Sequence, residues 1–118
     1  MIAVIFEVWP KDGERQTYLD LAAGLRPNLS EVDGFISIER FQSLIDPRKL
    51  LSLSVFRDED AVARWRNLAQ HRATQERGRS SVFDDYRIRV ASIDRDYGRT
   101  DRAQAPVDSQ SFHGRVSL

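Results

Sequence analysis

The first nine residues constrain the fold most. Ile2 to Trp9 reads IAVIFEVW, and Pro10 closes it. β-branched and aromatic residues dominate the run, which makes it a strand by propensity and length. Ile2, Val4, Phe6 and Val8 fall on one side of it, and Ala3, Ile5 and Trp9 on the other. A strand that is apolar on both sides must be covered on both sides. Glu7 alone breaks the apolar character, so it is the first polar residue to weigh.

The remaining elements say how much cover the chain itself can supply. Residues 12–29 carry Tyr18, Leu21, Ala22, Leu25 and Leu29 at helical spacing, with Pro27 casting doubt on the last turn. Asp33-Gly34 is a turn signal, and Phe35 to Leu44 follows as a second strand. Asp46-Pro47 turns the chain into a third strand, Lys49 to Phe56, giving an antiparallel hairpin. Asp58 suits an N-cap, and Glu59 and Asp60 suit the positive end of a helix dipole. Ala61, Val62, Trp65, Leu68 and Ala69 make that helix's apolar stripe. On a regular helix His71 would lie roughly 120° around from Trp65. Gly78 ends or breaks the helical region, and Ser81 to Asp96 forms a final strand. On that strand Val82, Tyr86, Ile88 and Val90 share one face, and Phe83, Ala91 and Ile93 the other.

The order β-α-β-β-α-β predicts an α+β fold: a ferredoxin-like four-stranded antiparallel sheet with both helices on one face. Two helices leave the second face bare. A second copy packed sheet against sheet covers it most simply, which predicts a homodimer. Residues 1–98 form the domain. Residues 99–118 are mostly polar and show no apolar periodicity, and read as a flexible tail or as a partner-docking arm anchored by Phe112 and Val116.

Composition narrows the function classes. The chain has 118 residues, no cysteine, and 18 basic against 18 acidic residues. Disulfides, thiolate metal sites and cysteine nucleophiles are out of reach. Zero formal net charge offers no general pull toward nucleic acid, and no aromatic RNA-binding strand motif is present. No apolar run approaches the roughly 20 residues that span a bilayer. With no signal-peptide pattern, the expectation is a cytoplasmic protein without a membrane partner. No metal-ligand spacing, phosphate loop, dinucleotide fingerprint or nucleophile elbow occurs.

The residues suited to chemistry are therefore few. His71 can act as a base near neutral pH, or sit on a helix flank with no role. Trp65 can wall an aromatic ligand's pocket, or simply pack the core. Phe6, Phe56, Phe83 and Tyr86 carry the same ambiguity. Glu7, if buried, would have a raised pKa and serve as acid or base; otherwise it pairs with Arg40 or Arg89. Arg64, Arg66, Arg72, Arg77 and Arg79 form a basic rim or a solvated face balanced by nearby acids.

The segment WRNLAQHRATQERGRSSVFDDYRIRVASIDRDYG resembles the second helix and last strand of the antibiotic biosynthesis monooxygenase (ABM) domain, of the dimeric α/β-barrel superfamily. The opening IAVIFEVWP and the run EVDGFISIERF are similar to it too, so the resemblance spans residues 1–98. It implies a ferredoxin-like fold, dimerisation into a barrel, and a small apolar pocket between sheet and helices. There a member oxidises an aromatic or quinol-like substrate with dioxygen and needs no cofactor. Under that reading His71 and Glu7 are the catalytic candidates, and Trp65, Phe6, Phe56, Phe83 and Tyr86 the substrate-binding ones. A non-catalytic, ligand-sequestering or stress-related barrel is the alternative. One branch of the family binds and degrades heme with a first-strand Asn, a Trp and a His. Trp65 and His71 supply two of those types, but the first strand offers only Glu7. Heme is thus the lesser expectation.

Overall fold

The computed structural model describes residues 1–113, and of residues 69, 70, 78, 80 and 113 the backbone alone. The chain runs β1 (Ile2–Pro10), α1 (Arg15–Ser30), β2 (Phe35–Gln42), β3 (Leu50–Phe56), α2 (Glu59–Arg66) and α3 (Ala69–Arg77). A π-helical turn (Gly78–Val82), β4 (Phe83–Ser92) and α4 (Val107–His113) complete it. The strands form one antiparallel sheet in the order β2-β3-β1-β4. This is the ferredoxin-like α+β arrangement, with the most apolar strands at its centre. One copy is not a closed barrel, because β2 and β4 remain edges.

Register divides the side chains into two layers. Ile2, Val4, Phe6 and Val8 face the helices with Leu50, Ser52, Ser54 and Phe56 of β3. Ala3, Ile5, Glu7 and Trp9 share the opposite face with Leu51, Leu53 and Val55. On that face Phe41 of edge strand β2 is 45 % exposed, while Ala3 at the centre is buried. The helical layer is also incomplete. Ile88 and Val90 of edge strand β4 lie on the helix side, opposite Phe6 and Val4, yet both are about half exposed.

Two separate apolar clusters form beneath the helices. One holds Ile2, Leu29, Phe56, Ala61 and Val62, with Trp65, Phe35, Val4 and Ile38 at its margin. The other holds Val8, Tyr18, Leu50 and Val82, with Phe6, Phe83 and Tyr86 against it. Burying a side chain such as Leu29 or Phe56 contributes about 1.5–3 kcal/mol. Leu29 explains why α1 continues past Pro27 to Ser30, against the expectation of a doubtful last turn. The missing proline N–H costs one helical bond, and the buried Leu29 two residues later offsets it.

Three boundaries differ from the sequence reading, each for a local reason. The second helix is not continuous: it stops at Arg66 and restarts at Ala69. The Asn67 side chain donates to the Ala63 carbonyl at 2.8 Å, competing with the helical ladder at the break. The α-helix does break at Gly78, but into a π turn, tethered where Lys11 N–H donates to the Val82 carbonyl at 2.8 Å. β4 therefore starts at Phe83 and is shorter than Ser81 to Asp96. Finally, the β1–β4 register slips between Trp9 and Pro10. Proline has no N–H for the ladder, and the resulting bulge moves Phe83 to the same side as Tyr86.

The tail, expected to be flexible or partner-docking, carries hydrogen bonds of its own. Arg102 donates to the Gly98 carbonyl and to Ser109 Oγ, and Gln110 donates to the Ala105 carbonyl. α4 follows, with Phe112 well exposed. The other proposed anchor, Val116, lies outside the described residues.

Candidate active site

The break at Asn67 builds the most chemically pointed feature of the molecule. Had the helix stayed regular, Trp65 and His71 would point apart. Instead the chain turns back, and the two rings stack with centroids 4.3 Å apart and planes at 14°. His71 Nδ1 lies 3.1 Å from the Trp65 carbonyl oxygen. A carbonyl only accepts, so Nδ1 carries the proton and the neutral ring keeps its lone pair on Nε2. Burial pushes the His71 pKa below its ordinary value of about 6.5, helped by the Arg72 charge. The carbonyls of Trp65 and Arg66 oppose that shift without reversing it. The site thus holds an oriented imidazole, neutral at physiological pH, against an indole wall.

Two surface grooves, each of about 490 Å³, flank this segment. One runs between α1 and α3 and is lined by Thr17, Leu21, Gly24, Leu25, Thr74 and Arg77. The other is lined by Asn28, Val32, Asp33, Arg64 and Leu68. His71 lies in the chain between Leu68 of one groove and Thr74 of the other. Both are of a size that takes a small molecule.

The remaining candidates are distributed rather than gathered. Phe6, Phe83 and Tyr86 do meet, joined by Tyr18, with ring centroids 5.7 to 6.4 Å apart. Phe56 belongs to the other cluster, fully buried and edge-on to Phe35 at 6.0 Å. Trp65 packs at the margin of that Phe56 cluster and stacks on His71.

Glu7 is separated from all of them, because its side chain leaves the sheet on the opposite face. It is ion-paired to both Lys49 and Arg89, and its side chain is 14 % exposed. Arg89, not Arg40, is thus its arginine partner. Of the two readings of Glu7, a raised pKa on burial or pairing with an arginine, the pairing holds. The pKa is lowered instead: the Lys49 hydrogen bond outweighs the cost of burial, and the charges of Lys49 and Arg89 add to it. Lys49 also sits over the Trp9 ring at 5.3 Å, and Trp9 Nε1 donates to Asp46 Oδ2 at 3.0 Å.

Sequence reasoning missed one pair. Arg40 on β2 faces the helices, and its charge opposes the rise in the Tyr18 pKa that burial causes. Arg40 shares strand parity with Ile38, and that alternation could have placed it under α1. Among the described residues no group of three or more His, Cys, Asp or Glu could hold a metal. The heme-degrading set is not matched either. Trp65 and His71 stand together, but the helix-facing side of β1 offers only Ile2, Val4, Phe6 and Val8.

A ferredoxin-like sheet under helices, with an apolar layer between them and one neutral histidine at its margin, defines a small α+β domain. Residues 1–77 match the family model for antibiotic biosynthesis monooxygenase, and the chain belongs to this family. The matched segment includes both Trp65 and His71. Over 93 residues the chain is 47 % identical to Jasmonate monooxygenase ABM of Pyricularia oryzae, covering 79 % of this chain and 43 % of that protein. It thus spans less than half the length of that relative. Among solved structures, Rv0793 from Mycobacterium tuberculosis superposes with a TM-score of 0.74 at 16 % identity, covering 82 % of this chain and 98 % of the other. SnoaB, a cofactor-independent oxygenase from Streptomyces nogalater, does so at 0.70 and 10 % identity, covering 80 % and 94 %. Likeness at such low identity establishes the fold. Among the described residues no helix is long and apolar enough to cross a membrane.

Proposed function

We propose that this chain is a monooxygenase that oxidises a small aromatic or quinol-like substrate with dioxygen, without a bound cofactor, beside the Trp65–His71 pair. Membership of the monooxygenase family supports the reaction class. The observation that carries the rest is His71, stacked on Trp65 and proton-bearing at Nδ1, with Nε2 left to accept a substrate hydroxyl proton. Removing that proton makes the substrate electron-rich enough to reduce dioxygen. One oxygen atom enters the ring and the other leaves as water. All the electrons come from the substrate, which ends as the hydroxylated quinone. The protein has to supply a base, a wall and a water-poor space. Glu7 has no part in this step, being on the other face and already neutralised by two cations.

The working form in this reading is a homodimer, since the open face with Ile5, Leu51, Leu53 and Val55 is closed most simply by its own copy. Sedimentation equilibrium tests that point. Oxygen uptake with a panel of quinols, in wild type and His71→Gln, tests the reaction. A quinol that binds and is never oxidised would sink the oxygenase reading and leave a ligand-sequestering barrel in its place. Added hemin producing no Soret shift is the expected companion result.

A further inference from the structure

The two grooves meet at one residue, Asn28 of α1, which lines both. Across from it stand Arg64 and Leu68 in one groove, and Thr74 and Arg77 in the other. Those four bracket Trp65 and His71 in the chain. The Leu68 carbonyl accepts the Arg72 N–H at 3.0 Å, so Leu68 already belongs to the first turn of α3. Leu68, His71 and Thr74 therefore follow one another at steps of three, with His71 about 60° around the helix from each of the others. One groove ends on either flank of the histidine.

The α1 wall is Thr17, Leu21, Gly24 and Asn28, at the three- and four-residue steps of a single helix face. Glycine is among the poorest helix formers, and Gly24 stands in mid-helix. Close packing is the usual reason for such a glycine, but a Cβ at position 24 would meet nothing within 4 Å. The missing side chain leaves the groove clear instead. Asn28 is half-buried, and its side chain makes no hydrogen bond among the described residues. A primary amide offers a donor and an acceptor. Leu21, Leu25, Val32 and Leu68 give the lining its apolar part. Asp20, Glu31 and Asp33 outnumber Arg64 and Arg77 on it, so an anion finds no net attraction there.

We propose that the two grooves are one ligand cleft, kept open by Gly24, in which the Asn28 amide holds the hydroxyl of a neutral aromatic beside His71. This deepens the oxygenase reading. It rests on that reading for the chemistry at His71, but not for the cleft or for its preference for a hydroxyl.

The test compares 1-naphthol with 1-methoxynaphthalene by isothermal titration calorimetry on the full chain. Both are neutral and share one ring system, and only the naphthol can donate to Asn28 Oδ1. It is expected to bind about 3- to 10-fold more tightly, the worth of one hydrogen bond. In Asn28→Leu the ratio falls to near one at unchanged Tm. Asn28→Asp, which keeps an acceptor oxygen in place, retains the preference. A ratio near one in wild type, or an undiminished ratio in Asn28→Leu, overturns the inference. So does a lower Tm in Asn28→Leu, which would mark a structural amide. Gly24→Leu tests the cleft itself. It should melt no lower than wild type, because leucine is the better helix former and the space is empty, yet bind neither probe. Wild-type binding of both probes in Gly24→Leu overturns the inference. Oxygen uptake separates the two readings. A preference for naphthol with no quinol oxidised sinks the oxygenase and keeps the cleft. Quinol oxidation that Gly24→Leu leaves at the wild-type rate sinks the cleft and keeps the oxygenase.

Discussion

Glu7 and His71 are the two titratable residues that stand out in the sequence, and the fold treats them oppositely. Glu7 emerges mid-strand between Lys49 and Arg89, which hold its carboxylate ionised. His71 emerges just after a helix break and is held neutral by burial against Trp65. A carboxylate already bonded to two cations is a poor proton acceptor. A neutral imidazole with one nitrogen fixed is a good one. Placement therefore separates them further than residue type does: the carboxylate is tied to two cations, and the imidazole is held neutral.

The largest effect should come from removing the base. His71→Gln is expected to lower turnover in oxygen uptake by about 10²- to 10⁴-fold, the usual worth of a general base. Glu7→Gln should change turnover far less. If the two losses match, the contrast between the residues is wrong.

Next is the wall. Trp65→Ala is expected to cost about 3 kcal/mol of stability, measured by urea unfolding, because the indole packs at the margin of the Phe56 cluster. The same change exposes His71, so its pKa should rise toward about 6.5, followed by NMR titration. An unmoved pKa would mean that burial by the indole is not what holds His71 neutral.

A smaller effect concerns pH. Since the His71 pKa is lowered, the base stays unprotonated into mild acid. The acid limb of kcat/KM should therefore fall below pH 6.5, the ordinary imidazole value, and should vanish in His71→Gln. An acid limb well above that value would assign the proton to another group.

The smallest effect is on stability through Glu7. Its folded pKa is depressed, so its contribution is present above the unfolded carboxyl value and is lost as pH falls through the folded one. Glu7→Gln should thus lower Tm at pH 7, with the gap to wild type closing toward pH 3. A gap that persists in acid would point to packing instead of charge.

Much of the architecture was legible because strand alternation and helical spacing are local. The doubly apolar β1, the stripe through Ala61, Val62 and Trp65, and the Asp58 cap all lie where the pattern puts them. The Asp58 Oδ1 accepts the Ala61 N–H at 2.9 Å. The site was less legible. The sequence offered Trp65 and His71 as types but placed them about 120° apart on one helix. Their stacking depends on the Asn67 break, which competes with the helix through a single side-chain bond. Phe83 was placed on the wrong face because a bulge at Pro10 shifts parity, and one residue of slip inverts every side chain beyond it. Arg40 was considered only as a partner for Glu7, although the two lie on opposite sides of the sheet.

By itself, then, the sequence determined the element order, the four-stranded α+β fold, the family, and the short inventory of groups able to do chemistry. These follow from side-chain periodicity and composition, which act within a few residues. Tertiary structure alone decided which of those groups meet. It set Glu7 between Lys49 and Arg89, turned His71 back onto Trp65, gathered Phe6, Phe83, Tyr86 and Tyr18, and left Arg40 with a buried nitrogen unmatched. Each outcome depends on register, a bulge or a helix break. Such features bring together residues up to 82 positions apart, as with Glu7 and Arg89, a separation no local pattern encodes.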